Sequence, residues 1–229
     1  MRAIAWMWVM LAGLLQAGGL KFEKDVIELH LAAEASTAGG EFTFTNGSDH
    51  PVTISRVEKT CSCLLAQVKG GKLVYQPGEK GVIRVNFEVG NLSGVVDKTV
   101  ALYLEKEPAD QPVILTVRAH IPVLVELDQK TLRWPVNGAA GPQKVDIRMK
   151  HSKPIRVLKA ASNSEMFKTE LKTLTEGSHY EVWITPADMK RPTIAVIRLE
   201  TDCDVERHKV QQVFAVVRAD RPGEGAAAR

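Results

Sequence analysis

What is scarce in this 229-residue chain narrows its class before any motif is read. Past residue 15 no apolar run approaches the roughly 20 residues that span a bilayer, so no transmembrane segment is expected in the mature chain. The formal charge of +3 and pI near 8.7 come without a dense Lys/Arg block, and lacking that footprint no nucleic acid partner is expected. The sequence shows no nucleophile paired with a base, no paired carboxylates, no phosphate-cradling glycine loop and no clustered metal ligands. It therefore reads as a non-enzyme with no catalytic residues and no required cofactor. Cysteine is rare as well: Cys61, Cys63 and Cys203 are the only three, an odd number that leaves at least one outside any intramolecular bridge.

What is present is the composition of a folded protein, 45% hydrophobic and 25% charged. Arg2, an apolar stretch over 3–15 and the small residues Ala17-Gly18-Gly19 read as a secretory signal peptide, residues 1–19, cleaved after Gly19. A periplasmic or secreted location follows, where disulfides persist. The expected partners are other envelope or extracellular proteins.

After the leader the chain is written in short strands. Segments 21–30, 41–45, 72–75, 81–87, 97–104 and 112–120, with a strand carried by Val52, Ile54 and Val57, are separated by Gly, Pro and Asn turns. About seven strands in roughly a hundred residues is the pattern of an immunoglobulin-like sandwich. The same grammar returns after Val123. Lys153-Pro154-Ile155 echoes His50-Pro51-Val52, Val182 to Pro186 echoes Leu73 to Pro77, and the segment from Val213 echoes that from Val113, down to a shared Val-Arg-Ala. The fold class is therefore all-β, with two tandem immunoglobulin-like β-sandwiches after the signal peptide. The first domain covers 20–121 and carries the C-x-C motif, the second covers 122–219, and a disordered tail covers 220–229. So short a joint, Ile121-Pro122-Val123, predicts a fairly fixed angle between the domains. Trp134, Trp183, Phe42, Phe44, Phe87 and Phe214 are expected in the cores.

Thr60-Cys61-Ser62-Cys63 follows the third of these strands. Aligning the two copies on their His50-Pro51 and Lys153-Pro154 pairs sets Ser164 opposite Cys61 and Met166 opposite Cys63, so the module is expected to fold without the pair. Residues i and i+2 of an extended strand lie roughly 6.5 Å apart, whereas bridged Cβ atoms approach to about 3.5–4.5 Å. A Cys61–Cys63 disulfide thus needs a backbone bent at Ser62, and a bridge so formed is expected to be strained and reducible. Two alternatives stand beside it. One of the pair could join Cys203 across the domains, closing a loop of about 140 residues worth roughly 4–5 kcal/mol. Or Cys61 and Cys63 could hold a soft metal such as Cu(I), with His50 the histidine next in strand order. The remaining histidines read as surface or turn residues. Asp202 and Asp204, flanking Cys203, oppose a reactive thiolate there.

Phe42-Thr43-Phe44-Thr45-Asn46, Pro51-Val52-Thr53-Ile54, Thr60-Cys61-Ser62-Cys63, Gln76-Pro77-Gly78-Glu79-Lys80-Gly81 and Val85-Asn86-Phe87 occur in that order. This resembles the exported bacterial family known as domain of unknown function fifteen-seventy-three, an immunoglobulin-like module akin to the Hydin and major-sperm-protein sandwiches. The resemblance implies an F-x-F-x-N strand, a C-G-C-T motif and a P-G-E turn, and it brings no activity. Ser62 and Leu64 depart from the family's Gly and Thr. Pro77 and Gly78 have the residue types of a type II turn. The function expected is an exported, non-enzymatic structural or protein-interaction module. Thiol redox or copper handling through Cys61 and Cys63 is the alternative.

Overall fold

The computed structural model describes residues 15–17 and 19–219. The expected tail over 220–229 and most of the expected leader over 1–19 lie outside these residues. Two compact units, Met1–Pro122 and Val123–Arg229, divide the chain. Among the described residues no helix is long and apolar enough to cross a membrane.

The first unit contains β1 (Leu15–Ala17), β2 (Leu20–Phe22), β3 (Val26–His30), β4 (Thr37–Asn46), β5 (Val52–Lys59), β6 (Leu64–Val68), β7 (Val74–Tyr75), β8 (Lys80–Glu88), β9 (Gly94–Leu104) and β10 (Val113–Ile121). One sheet runs β1-β2-β4-β8-β6 and the other β3-β10-β9-β5-β7. Their inner faces meet over Phe42, Phe44, Ile83, Phe87, Leu102 and Leu115, all essentially inaccessible to solvent. Fully burying each such side chain contributes about 1.5–3 kcal/mol, and the period-two alternation of the strands is what directs them inward.

The segment 21–30, read as one edge strand, is two. After Phe22 the charged run Glu23-Lys24-Asp25 cannot continue through the core, and the chain crosses to the other sheet. There β3 pairs in parallel with β10, Val26 opposite Thr116 and His30 opposite His120. A register shift between Ile54 and Arg56 explains why Val57, out of step with Val52 and Ile54, also turns toward the core. Strand β6 adds to the strands expected from the sequence, with Leu64, Ala66 and Val68 alternating across it.

The second unit repeats the plan with β11 (Val125–Leu127), β12 (Thr131–Pro135), β13 (Gln143–Met149), β14 (Val157–Ser162), β15 (Phe167–Thr175), β16 (His179–Pro186), β17 (Thr193–Thr201), a helical turn α1 (Glu206–Lys209) and β18 (Val210–Arg218). Its sheets run β11-β13-β16-β15 and β12-β18-β17-β14. Element for element these match β2-β4-β8-β6 and β3-β10-β9-β5, and β12 pairs in parallel with β18 as β3 does with β10. An all-β fold of tandem sandwiches is therefore present. Two of the three sequence echoes need adjustment. Val182 to Pro186 lies in β16, the counterpart of β8 rather than of β7. The shared Val-Arg-Ala is displaced by two residues, because Phe214 N bonds Lys130 O where Thr116 N bonds Asp25 O. Trp134, Phe42, Phe44 and Phe87 are core residues, but Phe214 is 41% exposed. It sits between the inward-facing Val213 and Ala215. Trp183 is only half-buried, with Lys144 and Lys172 over its ring.

Asn46, wholly buried at the end of β4, joins the pieces of the first unit. Its Nδ2 donates to His50 O and Tyr75 O, both at 2.8 Å. Its Oδ1 accepts from Ser48 N at 3.0 Å and Ser48 Oγ at 2.7 Å. Its own backbone binds Glu79 O and Gly78 N. Gly78 has φ of 78°, and Glu79 N bonds Gln76 O, which makes Gln76 to Glu79 the type II turn expected of Pro77 and Gly78. Replacing Asn46 with Ala strands the buried Tyr75 carbonyl among others. A loss of about 2–3 kcal/mol is expected, read as a lower urea midpoint, and Asn46→Asp, which keeps the acceptor but not the donors, should fall as well. An unchanged midpoint in both variants would contradict this account.

Candidate functional site

The loop between β5 and β6 is pinned to both sheets. On one side Thr60 N bonds Thr99 O, and Thr99 N bonds Thr60 Oγ1, both at 3.2 Å. On the other, Glu88 N bonds Cys63 O at 2.8 Å. Between those anchors Cys61 and Cys63 form a disulfide with their Cα atoms 5.2 Å apart. That is shorter than the roughly 6.5 Å of an extended pair, so the backbone bends. The bend does not use positive φ at Ser62, since among the described non-glycine residues only Lys106 and Asn137 have it. A serine in the place of the family's glycine therefore fits. Both sulfur-bearing residues are partly buried against the core.

The competing arrangements are not those adopted. Cys203 is free and buried within its own unit, its N–H bonded to Thr201 Oγ1 at 3.3 Å. No cross-domain staple forms. The Asp202 carboxylate accepts from Arg156 N and Nε, at 2.6 and 2.7 Å, so it is spent on the neighbouring loop. As a disulfide, Cys61 and Cys63 present no thiolate, and a soft metal would need them reduced first. His50 belongs to the turn before β5 and bonds Asp49. The eight-residue strand β5 separates that turn from the cysteines, a span of about 25 Å.

A side groove of about 580 Å³ starts from this loop, lined by Val57, Glu58 and Lys59 of β5, Leu65, Ala66 and Gln67 of β6, and Arg84 and Asn86 of β8. Both strand edges beside it are open. β6 ends its sheet, and β7 covers β5 only at Val52 and Thr53. Because Glu88 N bonds Cys63 O, antiparallel alternation turns the backbone N–H and C=O of Leu64, Ala66 and Val68 away from β8, toward the open side. Part of the charge on the rim is paired. Arg84 donates to Glu41 Oε1 through Nε and Nη2, and with Lys69 it holds the Glu41 carboxyl below its ordinary range. Tyr103 Oη donates to Glu58, which raises the phenol. Leu65, 52% exposed, supplies apolar surface.

In the second unit the counterpart loop keeps its shape without a bridge. Ala187 N bonds Met166 O at 2.8 Å, as Glu88 N bonds Cys63 O. Phe167 and Leu64 open the following strands, so Ser164 and Met166 hold the positions in their unit that Cys61 and Cys63 hold in the first, as in the alignment.

Residues 20–121 match the model of a family described as "Protein of unknown function (DUF1573)", the family that the motifs of the first unit resemble. Among curated protein sequences none is significantly similar to this chain. Two solved structures are among those with low similarity to it. A protein of unknown function from Porphyromonas gingivalis W83 is 10% identical, with 89% of this chain and 100% of that one covered and a TM-score of 0.38. The secreted serine protease VesC from Vibrio cholerae is 11% identical, with 88% and 52% covered and a TM-score of 0.38. This chain thus spans about half of VesC.

A bridge that closes so short a ring constrains the unfolded chain little, by roughly 1.5 kcal/mol in the chain-entropy model. Reducing it, or introducing Cys61→Ser with Cys63→Ser, should leave the strand signature intact and lower stability by about that amount. Circular dichroism and urea melts check this, and unfolding of the first unit on reduction would refute it.

Proposed function

We propose, from a first domain that matches the DUF1573 family over residues 20–121, that this chain is an exported, non-enzymatic protein-interaction module whose working surface is the groove between β5 and β6. The observation that carries the reading is the pair of open strand edges flanking one groove, with β6 offering backbone donors and acceptors outward. An extended segment of a partner protein can add there as a further strand, the main chain giving affinity and alternate side chains giving selection. The bridged loop then serves as an end stop. It is anchored to both sheets, and the disulfide fixes its width.

A photo-crosslinking residue at Gln67 should capture an envelope partner. Ala66→Pro, which deletes an outward N–H on an edge strand where proline is tolerated, should reduce capture several-fold. The same probe at Ile194, exposed on the second unit, should be indifferent to Ala66→Pro. Equal capture with and without the proline would remove the reading.

A second reading rests on the partly exposed bridge itself, which the second unit lacks. Here the pair exchanges with a partner dithiol. One partner thiolate attacks a bridge sulfur and the other resolves the mixed disulfide, so two electrons and two protons pass to Cys61 and Cys63. The resulting dithiol is the form able to hold Cu(I). In exported protein alkylated at lysis, a substantial fraction of Cys61 and Cys63 should then be found as free thiols by mass spectrometry. A pair found fully bridged would rule this out.

A further inference from the structure

On the opposite edge of the second sheet of the first unit, β3 and β10 bring three metal-binding side chains together. Glu28 and His30 are two apart on β3 and so share a face. His120 lies directly across the parallel ladder from His30. The two imidazoles stack with centroids 4.3 Å apart and planes 11° from parallel. His120 Nε2 contacts Glu28 Oε2. One ligand atom from each of the three residues lies within 4.8 Å of the others.

We propose that Glu28, His30 and His120 form a binding site for a first-row divalent cation, with zinc the best fit. Two imidazoles and one carboxylate are the donor set that zinc takes when a coordination position stays open. In a tetrahedral site with bonds of 2.0–2.1 Å, ligand atoms stand about 3.3 Å apart. Side-chain rotation closes the remaining gap, and it is unhindered because Glu28 and His30 are exposed and His120 is half-exposed. His30 and His120 also line a shallow cleft, together with Leu31, Gly94, Val95 and Ile121.

The surrounding charge favours a cation. Among the described residues Arg118 is the arginine or lysine paired with Glu28, at 3.7 Å, but it gives both its Nε and Nη2 to Asp97, at 2.8 and 2.7 Å. Glu28, Asp97 and Arg118 together leave one negative charge beside the histidines. The cluster is also not a by-product of the fold. The last pair of the corresponding ladder in the second unit is Pro135 with Arg218, which cannot bind a metal. Neither histidine was singled out in the sequence, because 90 residues separate them and only the parallel pairing brings them face to face. This site is independent of the groove between β5 and β6.

Zinc alone, titrated calorimetrically into the tag-free, oxidised full chain, should bind with one-to-one stoichiometry and micromolar affinity. His30→Ala and His120→Ala should each weaken binding by at least about tenfold, the loss that even outer partners of a metal site produce, and Glu28→Gln should weaken it several-fold. Since all three side chains are at the surface, the variants should melt like the parent without zinc, and they should lose the zinc-induced rise in melting temperature. Cobalt substitution should give visible bands without the intense near-ultraviolet band of a thiolate ligand. Absence of saturable binding below millimolar zinc, affinity unchanged in His30→Ala or His120→Ala, or a thiolate band that moves the site to Cys203 would each overturn the assignment.

Discussion

A single buried amide organises the first domain. Asn46 has two N–H donors and room for two acceptor contacts, and all are used. The partners belong to the turn before β5 and to β7, while its backbone receives the turn that leads into β8. Tyr75 of β7 also packs edge-on against Phe44 in the core. The amide adds to that packing, because leaving a carbonyl unpaired beside a wholly buried side chain is costly. The F-x-F-x-N strand and the P-G-E turn, far apart in sequence, are thus two halves of one hydrogen-bonded knot. Glu79 completes it from outside, accepting from Gln76 N at 2.9 Å and pairing with Lys72, both of which lower its carboxyl's pKa.

Much of this architecture could be read from alternation. Phe42 with Phe44, or Val85 with Phe87, declares strand and inner face together. Legibility ended where a local pattern depended on a distant partner. The bulge in β5 is set by its pairing with β9 and not by its own residues. Trp183 and Phe214 alternate correctly but occupy the outward phase of their strands, a choice that only register decides. The cysteine loop was legible as a motif, and its bend as a requirement. That the bend is made without positive φ at Ser62 depends on the anchors to both sheets, which lie far away in sequence. Least visible was the meeting of His30 and His120, each already recognisable as the close of a strand-forming segment.

Duplication provides an internal control for the bridge. Two copies of one plan have β5–β6 type loops with the same anchoring backbone bond, and only one contains cysteines. The loop's path is therefore dictated by the sandwich, through Leu64 in one copy and Phe167 in the other. The covalent link adds little to folding. Its effect is local, on the width and stiffness of the step between the sheets at the end of the groove.

The parallel pairing of β3 with β10 also bears on mechanics. The first strand of this sheet and the last strand of the domain point the same way, so opposed pulls at the start of β3 and the end of β10 drive them in opposite directions along a shared ladder. The five residue pairs from Val26 to His30 would then be loaded side by side and must yield together instead of opening one at a time. Zinc held between His120 on one strand and Glu28 and His30 on the other would rivet that ladder at its end. The ladder that brings the two histidines together is thus also the one that would resist tension.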